Sequence, residues 1–200
     1  MEEALKIISG ELKLSGLIDK TASEKGAVIT HPHPLYGGDM YNPVVEALKN
    51  AYRKKEYTTL RFDFRGTGNS EGAHDNGQGE QRDVRSAVAA LMGLGIKQID
   101  LAGYSFGAWV NAHVTQDQAS YNRMVMVSPP IGFVSFDSVP AIPPLTLVVT
   151  GSRDDIAPVA KIRQALPDWN GQARLEIINN ADHFYTGLLG ELETVLDSSL

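Results

Sequence analysis

The segment Gly103–Gly107, GYSFG, places a serine between two glycines, where a strand-like apolar run that begins at Gln98 meets a helical pattern. A tight turn from a strand into a helix holds such a serine in an unusual backbone conformation and lifts its hydroxyl off the sheet. Residues two positions before and after it must then be small, and glycine satisfies this on both sides. The pattern predicts that Ser105 is a nucleophile, and that the Phe106 N–H, free at the start of the helix, donates to an oxyanion.

A serine nucleophile needs a base. The serine hydroxyl reacts poorly at neutral pH unless a base lies within hydrogen-bond reach and a further group orients that base. Two histidines follow Ser105 in the chain. His113 falls inside the helix that Ser105 opens, whereas His183 follows the last predicted strand. Ligands of open α/β sheets bind at the carboxyl ends of the strands, so His183 is the predicted base.

The acid that orients His183 is expected just past the strand LTLVV, where Asp154 and Asp155 follow one another. Neighbouring side chains point in different directions, so only one of the two can face His183. The residues themselves leave that choice open. Asp182 precedes His183 directly, but adjacent residues rarely aim at each other, and turn formation or capping is its expected role.

The run HPHPLYGG, from His31 to Gly38, places two histidines two positions apart, a spacing that is found in metal sites. A zinc site needs further ligands. Here no HxHxDH pattern continues, the chain has no cysteine, and His74 and His113 lack ligand spacing, so no metal is expected. Pro32 and Pro34 have no N–H and can instead stiffen the loop, which would hold a neighbouring amide in place.

The scaffold is predicted from alternating strand and helix patterns. Apolar residues in Leu5–Ile8 and Leu12–Leu17 alternate around a Ser-Gly pair and predict a hairpin. The later strands are predicted in GAVIT, TTLRFDF, QIDLAGY, RMVMVS, PPLTLVVTG and ARLEII, with helical segments between them and a C-terminal helix from Phe184. Nearly continuous apolar strands that alternate with helices indicate a parallel sheet covered on both faces. The predicted fold class is α/β, with a mostly parallel central sheet, in a single domain over residues 1–200.

Composition excludes several classes of function. The net charge of −6 argues against nucleic acid or an anionic membrane as a partner. The absence of cysteine excludes a thiolate nucleophile and disulfides, and it suits a reducing cytoplasm, the predicted location. The N-terminus has early acidic residues and no long apolar stretch, so it is not a secretory signal. No apolar segment is long enough to span a membrane.

From about Gly26 to the C-terminus the chain resembles an α/β-hydrolase. The resemblance rests on GYSFG, on the G-x-x-D-x-x-x-P pattern from Gly151 to Pro158, on Asp182-His183, and on FDFRGTGNSEG, which is similar to a D-x-R-G-x-G-x-S segment of the superfamily. Together with HPHPLYGG, the last segment looks most like that of a bacterial group of small serine hydrolases without a lid. Dienelactone hydrolases are also similar, but they use a cysteine nucleophile, which this chain lacks.

This resemblance implies an α/β-hydrolase fold without a lid domain, and the chain order serine, acid, histidine. It favours Asp154 over Asp155, because the family's aspartate stands three residues after the glycine, here Gly151. It also places a second oxyanion donor in the loop after the first parallel strand. Leu35 follows a His-Pro pair where the superfamily has its H-G-x donor, so Leu35 is the first candidate and Tyr36 the second.

The predicted function is a serine hydrolase that cleaves small carboxylic esters or thioesters through an acyl-enzyme on Ser105, with His183 and Asp154 completing a triad. It requires no cofactor, its partner is the small-molecule substrate, and a lid-less site suits small or protruding ester groups. Peptidase or amidase action on the same fold is one alternative, and a binding module without turnover is another. A metallohydrolase built on His31 and His33 is a third.

Overall fold

The computed structural model describes residues 1–116 and 121–200. Its strands are β1 (Glu3–Ser9), β2 (Leu12–Asp19), β3 (Lys25–Thr30), β4 (Thr58–Phe62), β5 (Gln98–Tyr104), β6 (Arg123–Val127), β7 (Leu145–Gly151) and β8 (Arg174–Ile178). Its α-helices are α1 (Pro43–Lys54), α2 (Gln78–Gly93), α3 (Phe106–Val114), α4 (Val159–Asn170) and α5 (Leu189–Ser199), and a short 3-10 helix spans Pro34–Tyr36. None of these helices combines the length and the apolar character needed to cross a membrane.

The strands form one sheet in the order β1-β2-β4-β3-β5-β6-β7-β8. Strand β2 pairs antiparallel with β1 and with β4, and every other pair in the sheet is parallel. The predicted hairpin is therefore the antiparallel edge of a mostly parallel sheet, and the predicted fold class is confirmed.

Alternate residues of the strands supply two cores, one on each face of the sheet. Val28 of β3 belongs to the core that includes buried residues of α2, α3 and α4, whereas Ala27 and Ile29 belong to the core that includes those of α1 and α5. The period of two along a strand sends successive side chains to opposite faces, which explains why these strands are apolar throughout. Helix coverage of both faces leaves the loops at the strand ends as the accessible part of the sheet.

Local sequence signals predict correctly where α1 begins, but they do not predict the first residue of α5. The Asn42 side chain accepts a hydrogen bond from the Val44 N–H at 2.9 Å, and proline follows it as the first helical residue. Helix α5, by contrast, begins at Leu189 and not at Phe184, so that prediction was wrong. Tyr185 and Gly187 adopt positive φ angles of 55° and 72°, which turn the chain before the helix can start.

Four loops at the carboxyl ends of parallel strands carry the chemistry-bearing residues. HPHPLYGG follows β3, Ser105 follows β5, Asp154 follows β7 and His183 follows β8. Because these strands run in the same direction, their carboxyl ends lie along one edge of the sheet and bring distant segments together.

Candidate active site

The turn Gly103–Gly107, hereafter the elbow, has the predicted strained geometry. Ser105 lies at φ 52° and ψ −118°, outside the regions that most residues favour, and its N–H donates to the Val127 carbonyl at 2.9 Å. A Cβ on Gly103 would stand 2.5 Å from the Ala108 nitrogen, and one on Gly107 would stand 2.7 Å from the His31 carbonyl oxygen. No larger residue fits at either glycine, so the backbone prediction is confirmed.

The structure brings Ser105, His183 and Asp154 into one hydrogen-bonded chain. The Ser105 Oγ lies 3.0 Å from His183 Nε2, and His183 Nδ1 lies 2.9 Å from Asp154 Oδ2. All three side chains are buried, although they come from three loops separated by up to 78 positions in the sequence. The Tyr104 hydroxyl donates to the His183 carbonyl at 2.8 Å and fixes the backbone from which the imidazole projects.

Asp154 is held as an ionised acceptor. Burial by itself raises the pKa of this carboxyl, whereas the hydrogen bond and charge of His183 lower it. The N–H of Ala157, 2.7 Å from Oδ1, acts in the same direction, and the pKa of Asp154 lies below its ordinary value. An ionised Asp154 requires a proton on His183 Nδ1, so Nε2 is the nitrogen that can accept the Ser105 proton.

The other aspartates and the other histidine considered as acid or base are exposed or have structural contacts. Asp155 is exposed to solvent. Asp182 Oδ1 accepts the N–H groups of Phe184 and Thr186, the turn-forming role expected for it. His113 bonds through its two ring nitrogens to the Trp109 carbonyl and to the Ser138 hydroxyl, on the exposed side of α3.

The two amides expected to serve as second oxyanion donor are already in use. The Leu35 N–H donates to His33 Nδ1 at 3.2 Å, and the Tyr36 N–H donates to the His33 carbonyl at 3.1 Å. Leu35 is also absent from the lining of the cleft that holds Ser105. Both amides therefore already have hydrogen-bond partners within the loop, which leaves neither the Leu35 N–H nor the Tyr36 N–H free to meet an oxyanion in this conformation.

The His33 amide of this loop is a candidate for the second oxyanion donor. Among the hydrogen bonds of residues 1–116 and 121–200, none uses the His33 N–H, and His33 lines the same cleft as Ser105 and Phe106. The Phe106 N–H begins α3, where the helix offers no partner for it. Counting from the first His-Pro pair of HPHPLYGG, rather than from the second, would have identified His33.

The buried His31 side chain holds this loop through two hydrogen bonds. Its Nε2 accepts the Phe64 N–H at 3.0 Å, and its Nδ1 donates to the Pro32 carbonyl at 2.7 Å. Complete burial is the main reason that the pKa of His31 falls to about 4, so the ring is neutral at physiological pH. The described residues contain no group of three or more potential ligands that could hold a metal ion.

The comparisons with known proteins agree with this architecture. The alpha/beta hydrolase family model matches residues 28–138. An uncharacterised protein of Rickettsia prowazekii is 32% identical over 190 residues, which cover 88% of this chain and 79% of that protein.

Two solved structures are similar over nearly the whole chain. One is an alpha-beta serine hydrolase homologue from Coxiella burnetii, with a TM-score of 0.92 and 32% identity, covering 99% of this chain and 97% of that one. The other is a serine hydrolase without a lid from Xanthomonas campestris, with a TM-score of 0.88 and 28% identity, covering 99% of this chain and 93% of that one. Family match, relatives and fold together establish that this chain belongs to the α/β-hydrolase family.

Proposed function

We propose that the protein is a serine hydrolase that cleaves carboxylic esters or thioesters through an acyl-enzyme on Ser105. The observation that carries the proposal is the hydrogen-bond chain from Ser105 through His183 to Asp154, beside the unpartnered N–H groups of His33 and Phe106. Nucleophile, base, orienting acid and oxyanion donors are the components that acyl transfer needs.

In the acylation step the Ser105 Oγ attacks the substrate carbonyl carbon while its proton passes to His183 Nε2, 3.0 Å away. The carboxylate of Asp154 stabilises the resulting imidazolium and keeps the ring in the required tautomer. The carbonyl oxygen becomes an oxyanion that accepts hydrogen bonds from the N–H groups of Phe106 and His33.

Collapse of the tetrahedral intermediate breaks the bond to the alcohol or thiol, and His183 Nε2 returns its proton to that leaving group. Water then takes the place of the leaving group, is deprotonated by His183 and attacks the acyl carbon. The second intermediate expels the Ser105 oxygen, which regains the proton, and a carboxylic acid is released. These steps use only groups of this chain and water.

Covalent trapping tests the proposal. A fluorophosphonate reporter should form one adduct per chain, located on Ser105 by peptide mapping, because phosphorus attack by an activated serine mimics the first step. The Ser105→Ala variant should not be labelled. Absence of labelling in the wild-type protein would favour a binding module without turnover, and an adduct on another residue would remove Ser105 from the mechanism.

The His33 N–H can be tested by proline substitution. His33 lies at φ −60°, the angle that proline imposes, so His33→Pro removes the donor in a backbone already suited to proline. We expect kcat for a small ester to fall by roughly 100- to 1,000-fold relative to His33→Ala, which also lacks the imidazole but keeps the N–H. Steady-state kinetics of the two variants give this ratio. Equal activities would show that another group holds the oxyanion.

A further inference from the structure

The cleft beside Ser105 is lined by residues without a permanent charge. It has a volume of about 440 Å³, within the range of small-molecule sites. None of the residues that line it, all of which belong to the described part of the chain, is Asp, Glu, Lys or Arg. A carboxylate or ammonium group on the substrate would lose water there without gaining an ionic partner, which is costly.

Four residues that line the cleft have rings in successive contact, and we call this row the aromatic wall: Phe106, His33, Tyr36 and Phe133. Ring centroids of Phe106 and His33 are 4.7 Å apart, those of His33 and Tyr36 are 4.9 Å apart, and those of Tyr36 and Phe133 are 6.2 Å apart. The row therefore runs without a break from the residue next to Ser105 to the mouth of the cleft.

The outer part of the aromatic wall is exposed to solvent. Tyr36 has 76% of its surface exposed and Phe133 has 60%, although both line the cleft. Large apolar side chains that cluster at the mouth of a binding cleft and remain exposed are a feature of ligand sites. The adjacent nucleophile identifies what they would contact, namely a substrate whose carbonyl carbon is held at Ser105.

The position of the aromatic wall assigns it to the acyl side of the substrate. The leaving group receives its proton from His183 Nε2 and must lie on the His183 side, where Phe184 also lines the cleft. The carbonyl oxygen must meet the N–H groups of His33 and Phe106, the residues whose rings form the inner half of the aromatic wall. An acyl chain that extends outward from the carbonyl then passes along Tyr36 to Phe133.

We infer that the acyl group of the substrate is neutral and carries an aromatic ring, which lies against Tyr36 and Phe133. This inference rests on the proposed function and narrows its substrate class. Aromatic rings gain from offset or edge-to-face contact with other rings beyond the burial of apolar area. The open mouth leaves the far end of such an acyl group in water, so substituents there remain compatible with binding.

Four ethyl esters test the inference, because they share one small leaving group: ethyl acetate, ethyl 3-phenylpropanoate, ethyl 3-cyclohexylpropanoate and monoethyl succinate. Hydrolysis is followed by proton release. We expect kcat/KM for the phenyl ester to exceed that for the cyclohexyl ester by about fivefold and that for the succinate ester by more than tenfold. Equal values for phenyl and cyclohexyl esters, or a preference for the succinate ester, would overturn the inference.

The variants Tyr36→Ala and Phe133→Ala locate the effect. Each should lower the ratio of kcat/KM for the phenyl ester to that for ethyl acetate by about three- to tenfold, mainly through KM. Tyr41→Ala is the matched control, because Tyr41 is also an exposed tyrosine but lies outside the cleft lining, and it should keep the wild-type ratio. An unchanged ratio in both cleft variants would contradict the inference.

Failure of the proposed function would give a different result from failure of this inference. If the protein is not an esterase, the wild type would hydrolyse none of the four esters, including ethyl acetate.

Discussion

Ser105→Ala should lower kcat for a small ester by about a millionfold, because loss of the nucleophile in a serine triad removes the covalent route altogether. The residual rate should reflect binding and the oxyanion donors alone. The folded structure should persist, since alanine at 105 keeps the Cβ and adopts the same backbone with the same strain as serine. Stopped-flow or steady-state hydrolysis and circular dichroism measure the two quantities.

Ser138→Ala is the matched control for this substitution. Ser138 is an exposed serine that contacts His113 and lies outside the cleft, so its removal should leave kcat within about twofold of the wild-type value. A Ser105→Ala variant with more than a hundredth of wild-type activity would rule out the acyl-enzyme mechanism.

Asp154→Asn should lower kcat by about ten-thousandfold. An asparagine amide can donate to His183 Nδ1, which would place the ring proton on Nε2 and leave no base facing Ser105. The side chain keeps its size, and its oxygen can still accept the N–H of Ala157, so the loop after β7 should hold its shape. The measurement is kcat with an ester whose chemistry is rate-limiting.

Asp155→Asn provides the internal comparison, because the residues by themselves left the choice between the two aspartates open and only the family resemblance favoured Asp154. Asp155 is exposed, so neutralising it should change kcat by less than about threefold. If Asp155→Asn were the more damaging change, the assignment of the acid would have to be reversed.

The sequence predicts the sheet and the position of Ser105 well, because both depend on short-range physics. Apolar runs of strand length and the two glycines of GYSFG are local signals, and each requires a specific backbone. The meeting of Ser105 with His183 was predictable only through a general rule, that loops at the carboxyl ends of parallel strands converge. The distances of the triad depend on the packed sheet.

Two features depend on contacts that the sequence patterns do not display. The choice between the Leu35 and His33 amides depends on which N–H groups already have partners, and the His33 side chain and carbonyl accept those of Leu35 and Tyr36. The hydrogen bond from the Tyr104 hydroxyl to the His183 carbonyl joins two residues that are 79 positions apart in the sequence. Only the assembled fold reveals such pairings.

The neutral, fully buried His31 makes the folded state sensitive to acid. Its pKa of about 4 lies below the ordinary value of 6.5, so between these pH values the unfolded chain binds a proton that the folded chain does not. Stability that is complete above pH 6.5 is therefore lost as the pH falls, by up to about 3 kcal/mol from this residue once pH 4 is reached. Urea unfolding alone does not isolate this loss, because burial raises the pKa of Asp63 to about 6 and that carboxyl contributes with the opposite sign over the same pH range. The NMR signals of the His31 ring report on the residue itself and should not titrate above pH 5. A ring that titrates near pH 6.5 would contradict the expectation. The residue that supports the loop HPHPLYGG thus also couples folding to proton concentration.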